Sequence, residues 1–260
     1  DENIYIPEDY DVVIKPGQKI FLTNGAIIYS RSSWNAIGDD KNKIIIEGTK
    51  SNLGGGIIIS DTKKASHFKN VKFKYLDGFQ KKIRPSKDYI ILGSINFYKA
   101  EIKLENVSFE KISSEDAINI MNSKFIIRNI DFNEIRSDAI DFDFSNGIIQ
   151  NATFYNVGND AIDFSGSKAE IQEAIFDNIQ DKIISVGENS NIKISNITAT
   201  NSFVGNAAKD GSIVSAKNIT TNNVKIVFAS FIKKKEYSEP TLFLKDINIK
   251  NFIAKWLVDD

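Results

Sequence analysis

The sequence predicts an all-β solenoid, a single-domain parallel β-helix of roughly eight to ten coils, and three observations carry that expectation. The first is a motif that recurs every 21 to 23 residues: "ENVSFEKI" (105–112), "RNIDFNEI" (128–135), "QNATFYNV" (150–157), "QEAIFDNI" (172–179) and "SNITATNS" (195–202). The second is short runs of alternating apolar and polar residues within each period, such as "AINIM" and "IKISNIT", separated by Asn, Asp, Ser and Gly. The third is that no segment carries a capped 3.6-residue apolar stripe, so helical crossovers are not expected. A leucine-rich repeat shares the period, but its L-x-x-L-x-L-x-x-N frame is missing and Ile and Phe form the apolar positions instead.

Taken along the chain, residues 1–50 read as an N-terminal cap with the first strands, because "IYIPEDYDVVIKPGQKIFLTNGAIIYS" spaces its strands irregularly and Pro16-Gly17 marks a turn. An open solenoid end exposes strand edges and needs such an atypical start. The solenoid then occupies 51–260, beginning with an earlier copy, "KNVKFKYL" (69–76), and ending with fainter ones at 217–224 and 245–252. The stretch 76–89 lengthens one coil to about 36 residues and reads as an inserted loop; "FIKKKEYSEP" (231–240) reads as a second, late loop. Four N-x-S/T triplets, at Asn106, Asn151, Asn196 and Asn218, recur with the coil and are read as turn and ladder asparagines rather than glycan acceptors.

Composition restricts the chemistry. The 260 residues carry 33 Lys and Arg against 34 Asp and Glu, so no overall basic field draws the chain to nucleic acid or to an anionic membrane. There is no cysteine and one histidine, His67, which excludes disulfides, Cys-ligated metals and His-based triads; His67 itself is read as structural. No apolar run is long enough to span a bilayer, and the opening residues "DENIYIPEDY" lack the basic and apolar regions of a signal peptide.

The remaining signal is acidic. "DAIDF" occurs at 138–142 and again at 160–164, a spacing of 22 residues. Strand alternation sends Ile140, Phe142, Ile162 and Phe164 inward and Asp141, Asp143, Asp163 and Ser165 outward. Stacking extends one outward column as Asn96, Asn119, Asp141, Asp163 and Ile184, and the next as Tyr98, Met121, Asp143, Ser165 and Val186, beside a small-residue column of Ala117, Ala139 and Ala161 that ends in Lys182. The corner acids Asp116, Asp138, Asp160 and Asp181 form a further stack, read as turn residues that accept backbone N–H groups. Asp141, Asp143 and Asp163 stand too close for all three to remain ionised uncompensated, so a Ca²⁺ ion, a cationic side chain such as Lys182, or raised carboxyl pKa values must neutralise them. The loop cations Lys81, Lys82, Arg84 and Lys87 are candidates to grip an acidic polymer, and Tyr98 to stack on a sugar.

With its 22-residue coil, Asn-rich turns and "NV.F..I" strands, the chain resembles the right-handed parallel β-helix superfamily typified by pectate lyases, and "DAIDFSGS", "DKIISVGENS" and "AKDGS" are similar to β-helix domains of bacterial envelope proteins. The resemblance covers about residues 50 to 250 and implies a carbohydrate-active protein, secreted or in the cell envelope, with an acidic polysaccharide or other surface glycan as partner. Some members hold Ca²⁺ on outward carboxylates and use a lysine as the base that removes a proton from a uronate. Carried over, this implies Asp141, Asp143 and Asp163 as metal ligands and Lys182 as the base of a lyase or epimerase; Asn119, Tyr98, Lys81, Lys82 and Arg84 are read from their own placement as substrate-binding residues. The same superfamily implies an alternative, a non-catalytic glycan-binding or structural module. A lysine among ionised aspartates without a metal has its pKa raised, which counts against it as a base.

Overall fold

In a computed structural model, residues 2–78, 91 and 93–258 are described. Every named element is a strand, and every strand pairing is parallel. The chain winds through three sheets per coil. Rungs of the first sheet include Gly56–Ser60, Gly93–Tyr98, Asp116–Met121, Asp138–Asp143, Ile162–Ser165 and Lys182–Gly187. The second and third sheets share long bent strands, such as Lys124–Ile135, Asn146–Val157 and Lys168–Ile179, each folded at an asparagine or glutamate in the left-handed region. The rungs amount to roughly nine or ten turns, in keeping with the expected parallel β-helix.

Residues 1–50 already lie in register with this stack. Ile4–Ile6 pairs with Ile27–Ser30, Val12–Ile14 with Trp34–Ile37, and Lys19–Phe21 with Ile44–Glu47, so the irregular start differs in strand length rather than in winding. The late loop is present between Ile213–Phe231 and Thr241–Lys250, whereas most of the inserted loop, including Lys81, Lys82, Arg84 and Lys87, lies outside the described residues.

Alternation makes the core. Ile95, Ile118, Ile140, Ile162 and Ile184 stack as one inward ladder, and Phe97, Ile120, Phe142, Phe164 and Val186 as the next, all buried. In the third sheet Phe73, Phe109, Phe132, Phe154 and Phe176 stack with successive ring centroids 4.8–5.0 Å apart, close to the strand spacing itself.

The corners are built by polar ladders. Asn70, Asn106, Asn129 and Asn151 adopt φ of 52 to 56°, and each amide from Asn106 onward donates to the Oδ1 of the asparagine one coil earlier at 2.7–3.2 Å. Asparagine tolerates this backbone better than most residues and its side chain bonds its own copy above and below. All four N-x-S/T triplets sit in these ladders or in the parallel Asn218–Asn196 pair, as the periodicity implied. Serines line another corner: the backbone N–H groups of Ser123, Ser145 and Ser167 donate to the hydroxyls of Ser145, Ser167 and Ser190 at 2.9–3.1 Å.

Candidate functional site

The acids converge on the outer face of the first sheet. Asp141 stacks over Asn119 and under Asp163, and Asp143 stands over Met121 and under Ser165, as alternation predicted. Beyond Asp163 the register departs from expectation. The columns continue to Ser185 and Gly187, not Ile184 and Val186, because the strand keeps a 22-residue spacing that holds Ile184 and Val186 in the core. The same spacing puts Lys182 over Asp160, so the corner stack reads Asp116, Asp138, Asp160, Lys182; Asp181 falls outside it, and the small column ends in Ile183 rather than Lys182. Matching "DKI" to "DAI" by identity gives a 21-residue step that would turn this strand inside out.

Of the four corner acids expected to accept backbone N–H groups, Asp138 and Asp160 do so, and the groups belong to the next coil rather than to their own turns. Asp138 Oδ1 accepts from the Asp160 backbone N–H at 2.8 Å and from Asn159 Nδ2 at 2.6 Å; Asp160 Oδ1 accepts from the Lys182 N–H at 2.9 Å. Burial drives the Asp138 carboxyl up to about 7, opposed by those donated bonds. Burial also raises Asp160, against the pull of Lys182. Asp116 is 2% exposed and its Oδ2 has no hydrogen-bond partner; burial, then Asp138 and further acids, push its carboxyl well above the ordinary range.

In the outward cluster the Asn119 amide donates to Asp141 Oδ2 at 2.9 Å and to Asp143 Oδ2 at 3.4 Å. Burial, followed by Asp143, Asp116 and Asp163, holds Asp141 far above a normal carboxyl. Burial raises Asp143 to about 6, partly offset by the Asn119 bond. Asp163 faces a different partner: Lys209 Nζ lies 3.7 Å from its Oδ1. Lys209 occupies the Asp143 column three coils on, and Ser165 and Gly187 between them leave the room through which its buried side chain reaches back. Sequence reasoning missed this lysine, although 143, 165, 187 and 209 are spaced by 22 and the signal was legible. Glu188, bonded to Lys234 of the late loop, also borders the cluster, and Asp210 Oδ1 ties the loop down by accepting from the Lys233 and Lys234 N–H groups at 2.7 Å.

Lys182 has another attachment. Its Nζ contacts Asp160 at 3.2 Å and Asp181, and these acids outweigh burial to hold its ammonium above the ordinary lysine value. An ammonium so held is a structural counter-charge at the corner and a poor base. Tyr98 is 8% exposed and packs with Ile58 and Ile91, which leaves little of its ring face for a sugar. His67 is bonded to Glu105 at 2.6 Å in the second sheet, away from the acids.

As a Ca²⁺ site the donor set is suitable in kind, all hard oxygen, and Asp163 Oδ1 is a buried acceptor with no hydrogen bond. It is not preformed: among the described residues no three acidic or imidazole side chains are grouped to hold a metal, so binding requires side-chain rotation. Among the described residues no helix is long and apolar enough to cross a membrane.

No family model matches the sequence, and no curated protein does. Solved structures match in fold. A catalytic domain of a GH87 α-1,3-glucanase in complex with nigerose is 11% identical over 99% of this chain and 61% of its own, with a TM-score of 0.50. An alginate lyase from Paenibacillus sp. is 11% identical over 97% and 99%, with a TM-score of 0.46, and a periplasmic alginate epimerase D317A mutant is 11% identical over 95% and 76%, with a TM-score of 0.43. The chain spans about three fifths of the glucanase domain it resembles. The class that the strand pairing and the likeness to the glucanase domain define is the parallel β-helix, the fold the repeat implied. At this identity the likeness is one of fold alone.

Proposed function

We propose that this is a carbohydrate-active β-helix protein of the cell envelope or exterior that takes an acidic polysaccharide across the outer face of its first sheet, as a lyase or epimerase. The observation that carries the proposal is the grouping of unlike carboxyl groups: Asp141, forced toward its protonated form, with Asp143, at about 6, on the same strand, and Asp163 one coil on, which has Lys209 at 3.7 Å. Carboxyls whose environments drive them apart are suited to give and to take protons. In this reading Asp143, ionised above about pH 6, removes the proton α to a uronate carboxylate, and Asp141 delivers a proton to the departing glycosidic oxygen or to the opposite face of the ring. Lys209 and Lys234 offset the negative charge that a uronate brings to an acidic wall. The fold likeness to a domain solved with nigerose supports a glycan ligand in general.

A second form of the proposal has Asp141, Asp143 and Asp163 hold a Ca²⁺ ion as ligands in place of acting as an acid–base pair; its support is the buried Asp163 Oδ1, which accepts no hydrogen bond and has Lys209 at 3.7 Å. Bound there, the ion would supply counter-charge to the cluster and to the substrate carboxylate. Calcium titration followed by melting, with pectate, alginate and glycosaminoglycans then assayed for the ultraviolet absorbance of unsaturated uronates and for epimerised products, tests both parts. The expected result is a calcium-dependent rise in Tm, turnover of one polymer, and loss of turnover without unfolding in Asp163→Asn. An unchanged Tm removes the ion from the proposal; binding without turnover reduces the protein to the non-catalytic glycan-binding alternative.

A further inference from the structure

We infer that Phe144 is a sugar-stacking platform for the polymer handled by the neighbouring acids, an inference that rests on the polysaccharide reading above. Phe144 follows Asp143 directly and occupies the corner column Asp61, Lys99, Asn122, Phe144, Gly166, Glu188, Asp210, every member of which has φ between 48 and 62°. Asn, Asp and Gly accept this left-handed backbone readily, whereas a bulky aromatic residue there is an outlier held at a cost in strain. Packing does not repay that cost, because Phe144 is 55% exposed, whereas the stacked phenylalanines Phe109, Phe132, Phe142, Phe154 and Phe164 of the same coils are buried in the core. Strain that brings no burial marks a position held for another reason.

The surroundings say what the ring can receive. Gly166, next in the column, leaves space for it: a Cβ there would stand 2.5 Å from Phe144 Cδ1, so the ring lies over a bare backbone and is steadied in one place. The corner beneath is fixed by the bonds from Asn122 N to Asp143 O at 2.9 Å and from Phe144 N to Ser165 O at 2.8 Å. Phe144 also lines a groove of about 480 Å³ with Asn122, Asn146, Lys64, Lys99 and Lys124, the last paired with Glu101 of the same groove at 3.4 Å. A flat apolar face next to the carboxyls and to a groove lined by lysines and amides suits a pyranose, whose C–H face stacks on the ring while its acidic and hydroxyl groups meet the polar rim.

The test compares the full chain with Phe144→Asn, Phe144→Leu and Phe144→Tyr by isothermal titration calorimetry, with oligogalacturonate and oligoalginate as probes and calcium present, alongside Tm. Asn is at ease in the left-handed region, so Phe144→Asn is expected to melt at the same or a higher temperature and to bind about tenfold more weakly. Phe144→Leu keeps apolar bulk without a flat face and is expected to lose the same affinity; Phe144→Tyr is expected to retain it. Full affinity in Phe144→Asn or Phe144→Leu overturns the inference and leaves the polysaccharide reading standing. Failure of the unsubstituted protein to bind either probe overturns that reading, and this inference with it.

Discussion

Six aspartates, Asp116, Asp138, Asp141, Asp143, Asp160 and Asp163, lie within three consecutive coils of one sheet, and each neighbour raises the cost of ionising the others. The consequence for stability has a definite sign. Asp138 at about 7 and Asp143 at about 6 bind protons more tightly folded than unfolded, where a carboxyl titrates near 4. Between about pH 4 and pH 7 the native state therefore holds more protons than the unfolded chain, and stability falls as pH rises through that window. Melting without divalent cations should give a Tm several degrees higher at about pH 5.5 than at about pH 8, and Asp141→Asn should flatten the difference; a Tm that rises with pH would contradict the clustering. Lys182 shows the limit of residue-scale reading. Its nearness to the acids was apparent in sequence, but its partner was not, since a one-residue change of register exchanges the small-residue column for the corner.

Individual elements are held by identical side chains meeting across coils. Asn129 donates to Asn106 and accepts from Asn151 while its backbone sits at φ 54°. Replacing it with alanine removes both bonds and places a Cβ in the left-handed region, a loss of about 1–3 kcal/mol; glycine removes the bonds but not the backbone's ease and should cost less. Urea denaturation of the two variants checks the order, and equal losses would show that the ladder, not the corner conformation, carries the stability. These ladders were legible because they repeat at the coil period. Lys209 was legible by the same arithmetic, since it continues the column of Asp143, yet what gives it a role is the small side chain of Ser165 and the lack of one at Gly187, which only the packed columns bring into view.

Across the whole molecule each coil is stabilised by the two beside it, so order should decline toward the ends. Thr241–Lys250 and Ala254–Val258 leave Phe243, Ile253, Trp256 and Val258 at least half exposed, whereas Asp138–Asp143 lies between covered coils. Native-state hydrogen exchange should be fast in the last coil and slowest near residues 118–186; uniform protection would indicate that something else covers the end. The sequence by itself determined the coil period, the inward Ile and Phe, the asparagine corners and the outward facing of Asp141, Asp143 and Asp163, because a β-helix repeats one local conformation and alternation sorts its side chains. Only the tertiary structure decided that Lys182 serves Asp160, that Lys209 serves Asp163 from three coils beyond Asp143, and that Phe144 stands strained and exposed beside the acids. Those facts depend on register between coils and on where side chains are missing, and neither is carried by any single repeat.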